Sequence, residues 1–123
     1  MLLTIMEVNK MQKLKYNGWW NYETWNCKLW LDNDQANYEN IKDHIDHLKV
    51  KSNLTKNDLV YKLSQYLEHL INMETPELKA SMYSDMLSAS LREINFLEIA
   101  EAYYEDVWGW VEKNESKKIE ATL

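Results

Sequence analysis

Residues 21–34 read NYETWNCKLWLDND, and this stretch contains the starts of two predicted helices. Asn21 suits a helix N-cap, because its side-chain oxygen can accept a hydrogen bond from a free backbone N–H of the first turn. Trp20 and Trp25 flank this start at the spacing of a hydrophobic staple. Asp34 follows the first helix and is in position to cap the second.

Three further helix starts lie downstream, and the predicted caps are Thr55, Thr75 and Asn95. Pro76 at the first helical position supports the start at Thr75, because proline has no N–H to leave unsatisfied there. Apolar side chains follow the starts at intervals of three and four, the spacing of one helix face. The predicted core is Trp25, Trp30, Tyr38, Ile41, Ile45, Leu48, Leu59, Leu63, Tyr66, Leu67, Leu70, Tyr83, Met86, Leu87, Leu91, Ile94, Phe96, Ile99, Tyr103, Val107 and Trp110.

These signals predict an all-α fold: a single compact domain of about five amphipathic helices over residues 16–123. The 123 residues leave room for one domain, and two Gly and one Pro are too few for a turn-rich β-sandwich. Residues 1–15 are predicted to be an N-terminal arm, either disordered or a short strand. Residues 76–112 are predicted to form two helices, with one continuous bent helix as the alternative.

The charge is uneven along the chain. Residues 1–67 hold nine Lys and eight acidic residues, whereas residues 68–112 hold ten acidic residues against Lys79 and Arg92. A surface that binds phosphates needs clustered Lys and Arg, so direct nucleic-acid binding by this acidic third is not expected. An acidic face suits a basic protein partner, or it is an ordinary solvated surface.

The sequence offers little chemistry, and no catalytic residue, metal or cofactor is predicted. Cys27 is the one cysteine, and no nucleophile motif surrounds it. His44 and His47 are three residues apart on a predicted helix, but no third ligand accompanies them. No apolar run approaches the roughly 20 residues that span a bilayer, and the first 15 residues lack the order of a signal peptide. A cytoplasmic location is therefore expected, with no membrane partner.

Candidate partner-binding residues come from two features. On the last predicted helix, four carboxylates fall within one narrow band at 100° per residue, and we expect them to point outward without neutralising Lys or Arg at i+4. Six Trp are many for this length, and exposed Trp often anchors protein interfaces. The candidates are Glu98, Glu101, Glu105, Glu112, Trp19, Trp20 and Trp108.

Two stretches resemble signatures of a family of small uncharacterised proteins encoded by bacteria, plasmids and phages. The first is NYETWN continuing to LWLDND, over residues 21–34. The second runs from YSDML, at residues 83–87, through Leu91 to INFLEIA, at residues 94–100. Family members usually carry Trp where this chain has Phe96. The resemblance implies a helical fold and a mobile-element context, and it supplies no activity and no catalytic residues.

The leading hypothesis is a small phage or mobile-element protein that acts stoichiometrically in the host cytoplasm by binding a host protein. The expected partner has a basic nucleic-acid-binding surface, for example a CRISPR nuclease, and the expected role is inhibition of such a defence, of anti-CRISPR or antirestriction type. One alternative is a housekeeping accessory or structural binding module without inhibitory role. A second is a small enzyme of unrecognised type. The sequence leaves the oligomeric state open.

Overall fold

The computed structural model describes Ile5, residues 16–50 and residues 53–108; of Trp108 it describes only the backbone. Residues 16–108, as far as they are described, form five α-helices and one π-helical turn. The helices are α1 Tyr22–Asn33, α2 Gln35–Lys49, α3 Lys56–Glu74, α4 Met82–Arg92 and α5 Phe96–Tyr103, and the π-helical turn is Tyr104–Trp108. The all-α fold class is confirmed, and so is the division into two helices after residue 76. The predicted arm, apart from Ile5, and residues 109–123 lie outside the described residues.

Four of the five predicted caps are confirmed. Asn21, Asp34, Thr55 and Asn95 each accept a hydrogen bond from the backbone N–H three residues later. These caps were predictable because donor and acceptor are both local in the chain. Each bond satisfies one of the free N–H groups of its helix and fixes where that helix begins.

The predicted start of α4 at Thr75 is wrong. Thr75 ends α3 instead, because its backbone N–H and its hydroxyl both donate to the carbonyl of Ile71, at 3.0 and 2.7 Å. The next helix begins after Ser81, whose hydroxyl accepts from the backbone N–H of Ser84 while the Ser84 hydroxyl accepts from the N–H of Ser81. The reciprocal Ser–Ser cap is a weaker sequence signal than Thr-Pro-Glu, but it is the cap at which α4 begins.

The core lies where α3 packs against α5, with α1 and α2 completing it. Eleven apolar residues are buried there: Cys27, Leu31, Ile41, Ile45, Leu48, Leu59, Leu63, Leu67, Ile99, Ala100 and Tyr103. Eight of them are among the predicted core residues. The Tyr103 hydroxyl donates to Asp32 Oδ1 at 2.6 Å, so this buried ring carries its polar atom to a partner on α1.

Several predicted core residues are not buried. Trp30 is 69% exposed, and Tyr38, Tyr83 and Met86 are exposed as well. Trp25 is half-buried, and its ring lies 5.2 Å from that of Tyr16. Helical spacing shows which residues share one face of a helix, but it does not show whether another helix packs against that face. Trp110 lies outside the described residues.

No helix within the described residues is both long enough and apolar enough to cross a membrane.

Candidate functional site

Three of the predicted carboxylates and one predicted Trp line a single surface cleft. The cleft has a volume of about 340 Å³ and is lined by Gly18, Trp19, Glu98, Glu101, Ala102 and Glu105. Its walls come from the turn before α1 on one side, and from α5 and the π-helical turn on the other. The sequence assigns Trp19 and the glutamates to separate candidate surfaces, and the fold joins them.

A tight turn presents Trp19 to the cleft. Tyr16 and Trp19 exchange two backbone hydrogen bonds, of 3.2 and 2.7 Å, across a two-residue loop. Both loop residues have positive φ, 46° at Asn17 and 87° at Gly18, which is typical of a type I′ turn and of the Asn-Gly pair. This single bridge is the only β pairing in the part of the chain that the structure describes.

Glu98 is the innermost carboxylate of the cleft. It is only 8% exposed, and its Oε1 accepts a hydrogen bond of 3.0 Å from the backbone N–H of Trp20. The prediction that Glu98 points outward is therefore wrong. The helical spacing was correct, but the turn before α1 lies over the first turn of α5 and takes the carboxylate as an acceptor. Glu98 thus positions the Trp19–Trp20 segment.

Glu105 is paired with a cation from another helix. Lys56 Nζ lies 2.7 Å from Glu105 Oε1 and 5.1 Å from the centre of the Tyr104 ring. The hydrogen bond to Glu105 raises the pKa of Lys56. No Lys or Arg stands at i+4 of these carboxylates, as expected, but Lys56 reaches Glu105 from α3. Glu101 is exposed, and no cation among the described residues forms an ion pair with it.

The remaining predicted candidates contribute differently or lie elsewhere. Trp20 is half-buried and contributes its backbone N–H to Glu98. Glu112 and the side chain of Trp108 lie outside the described residues. The cleft that the structure describes therefore rests on Trp19, Glu98, Glu101 and Glu105.

Three hydrogen bonds connect the segment around α1 to residues between the end of α4 and the first turn of α5, and together they hold the cleft in shape. Asn21 Nδ2 donates to the Glu93 carbonyl at 2.7 Å, and the Asn95 N–H donates to Thr24 Oγ1 at 2.9 Å. The third is the bond from Trp20 to Glu98. We call these three bonds the α1–α5 seam. Sequence reasoning missed Thr24, which is fully buried, because its acceptor role depends on a residue 71 positions away.

The other side chains that could carry out chemistry have structural roles. Burial, with a smaller contribution from Glu74, raises the pKa of the Cys27 thiol to about 12, which keeps it protonated near neutral pH. The His44 ring stacks on Tyr66 with centroids 4.0 Å apart. No group of three His, Cys, Asp or Glu residues with metal-binding geometry occurs within the described ranges.

The fold and the cleft define a small all-α protein with an acidic surface site. The chain belongs to DUF7249, a family of unknown function whose family model matches residues 11–114. No curated protein and no solved structure matches the chain.

Proposed function

We propose that this protein acts stoichiometrically by binding a host protein through the acidic cleft. The partner presents a basic nucleic-acid-binding surface, and binding inhibits a host nucleic-acid defence nuclease, so that the protein acts as an inhibitor of anti-CRISPR or antirestriction type. The observation that carries the proposal is the convergence of Glu98, Glu101 and Glu105 on one cleft beside Trp19. A phage or other mobile-element origin and action in the host cytoplasm are parts of the same proposal.

The chemistry of the cleft suits an Arg or Lys side chain. Carboxylates accept charge-assisted hydrogen bonds from guanidinium and ammonium groups, and an indole face attracts a cation. Glu101 is the carboxylate best placed to meet an incoming cation, because Glu98 is buried and accepts the Trp20 N–H, and Glu105 already contacts Lys56. A nuclease that holds nucleic acid in a basic channel offers many such cations, and a bound acidic protein would compete with its substrate.

The test begins with a pull-down from host lysate to recover the partner. The binding variant is Glu101→Lys/Glu105→Lys, which spares the buried Glu98 and so keeps the α1–α5 seam. The matched control is Glu68→Lys/Glu77→Lys, which makes the same change in net charge at two exposed positions outside the cleft. We expect the cleft variant to bind the recovered partner at least roughly tenfold more weakly and the control variant to bind nearly as wild type.

Salt and stoichiometry complete the test. Wild-type affinity should fall as salt rises, because exposed charges are screened over about 10 Å at 0.1 M. If the partner is a nuclease, its activity should fall linearly with added protein to an end point at a fixed molar ratio. Equal affinity of the cleft variant and wild type at low and high salt, with both folded, would refute the proposed site. Binding that leaves the partner's activity unchanged would favour the accessory-module alternative.

A further inference from the structure

Helix α4 stands apart from the core. It has no buried residue, and it makes only slight contact with any other helix that the structure describes. Met82, Tyr83 and Met86 are 63%, 68% and 60% exposed. A helix normally uses an apolar face of this kind to pack against a neighbour. This face of α4 is therefore available for packing, and it shares no residue with the acidic cleft.

The exposed face of α4 has a bulky half and a small half. At 100° per residue, Met82, Tyr83, Met86, Ala89 and Ser90 fall within an arc of about 120°. The bulky side chains occupy the first half of the helix, and Ala89 and Ser90, both exposed, occupy the second. In an antiparallel pair of identical helices, Ala89 and Ser90 of each copy leave room for Met86 of the other, which allows close approach of the two helices.

The charges of α4 have the same self-complementary arrangement. Asp85 and Arg92 are seven residues apart, so they lie on one flank of the helix, within about 20° of each other. In an antiparallel pair related by a twofold axis, each flank lies beside the same flank of the other copy. Asp85 then faces Arg92 of the second copy, and this contact occurs twice. In a parallel pair related by a twofold axis, this flank lies beside the opposite flank of the other copy, so Asp85 and Arg92 do not face each other.

The local charge favours a second copy over a basic partner. Residues 78–97 carry Lys79, Asp85, Arg92 and Glu93, which sum to zero in a chain of net charge -6. A second copy is therefore not repelled at this face, and a basic surface gains no charge attraction there. An 11-residue helix is about 16 Å long, so the contact is smaller than a standard interface and association should depend on concentration.

We propose that α4 is the interface of a homodimer in which the α4 helices of two copies pack antiparallel through Met82, Tyr83 and Met86. The dimer does not depend on the proposed inhibitory function. It places two acidic cleft sites on one particle.

The first experiment measures the mass of the full chain by sedimentation velocity from about 1 µM to about 1 mM. We expect wild type to shift from monomer to dimer across this range. Met86→Glu should stay monomeric, because it places a carboxylate on the apolar face of each copy. The matched control Met73→Glu changes a similarly exposed methionine on α3 and should dimerise as wild type. Wild type that stays monomeric throughout, or dimers that persist in Met86→Glu, would overturn the proposal.

The second experiment tests the charge pairing across the interface. Asp85→Arg alone and Arg92→Asp alone should each dimerise several-fold more weakly than wild type, because each variant places like charges across the interface. An equimolar mixture of the two should recover dimers. One copy then carries two positive charges on the flank and the other carries two negative charges, so opposite charges meet at both ends. A mixture that associates no better than the separate variants would overturn the pairing.

The swap variant Asp85→Arg/Arg92→Asp tests the antiparallel orientation. It should dimerise with itself as well as wild type does, because each end of an antiparallel pair still joins opposite charges. It should form few mixed dimers with wild type, because like charges then meet at both ends. Mixed dimers that form as readily as either self-dimer would overturn the antiparallel arrangement.

The dimer and the cleft are tested separately. The cleft variant Glu101→Lys/Glu105→Lys should retain wild-type dimerisation, because neither residue lies on α4. Loss of cleft binding and loss of the dimer are therefore distinguishable outcomes.

Discussion

Replacing Thr24 with Val removes one hydroxyl from the α1–α5 seam while keeping the side-chain shape. The Thr24 hydroxyl has two roles: it donates to Asn21 Oδ1 at 2.6 Å and accepts from the Asn95 N–H at 2.9 Å. Val fills the same volume but does neither. The Asn95 N–H then faces a methyl group, and the Asn21 cap keeps only its bond from the Thr24 N–H.

The expected cost follows from the two lost bonds. Leaving a buried donor without a partner costs about 1–3 kcal/mol, and loss of an ordinary hydrogen bond costs about 1 kcal/mol. Because Asn95 is half-buried, we expect Thr24→Val to lower the free energy of unfolding by about 2–3 kcal/mol in total. Thr24→Ser keeps the hydroxyl and removes one methyl group, which should cost about 1 kcal/mol.

Urea unfolding followed by far-UV circular dichroism measures both variants against wild type. A chain of 123 residues loses roughly 3–6 °C in melting temperature per kcal/mol, so Thr24→Val should melt roughly 6–18 °C lower. The double variant with Asn21→Ala should lose less stability than the two single variants added together, because both substitutions remove the same bond. If Thr24→Val is as stable as Thr24→Ser, the hydroxyl does not hold the seam and the reasoning is wrong.

Two further predictions concern the buried core. Because burial raises the pKa of Cys27 to about 12, a thiol reagent at pH 8 should label it slowly in the folded protein and rapidly in denaturant, and equal rates would contradict the burial. Burial, and to a smaller extent the hydrogen bond to Asp32, raises the pKa of Tyr103. The neutral Tyr103 side chain therefore stabilises the fold fully below pH about 10, and this contribution is lost as the pH rises further. Tyr103→Phe should cost about 1–2 kcal/mol at pH 7 and should flatten the loss of stability above pH 10, as measured by urea titration at each pH.

The parts of the fold that the sequence predicts are those decided by nearby residues. Asn21, Asp34, Thr55 and Asn95 cap helices through bonds that span three residues, so their types and spacing suffice. The capping rule misassigns Thr75 because its hydroxyl can bond in either direction along the chain, and it bonds backward to Ile71. The three-residue spacing alone does not decide between the two directions.

The parts that the sequence could not predict depend on distant residues. The spacing of Glu98 places it on a face with Glu101 and Glu105, but only the folded chain shows that it is buried and accepts the Trp20 N–H. The partner of Glu105 is likewise a lysine 49 residues away. Trp30 is expected in the core because large aromatic residues usually bury area, yet no helix that the structure describes covers its side of α1. Four residues that line the cleft were therefore predictable as candidates, but the cleft that they form together was not.

The α1–α5 seam also affects the order of events during synthesis. Its three bonds join residues that are 71, 72 and 78 positions apart. The segment around α1 therefore cannot form these bonds until residues 93–98 have been synthesised. When α1 leaves the exit tunnel, the residues that bond to its cap region have not yet been synthesised. Contacts of this separation close late and carry a large loop entropy. The nascent chain should therefore complete its native fold only after residue 98 has left the exit tunnel.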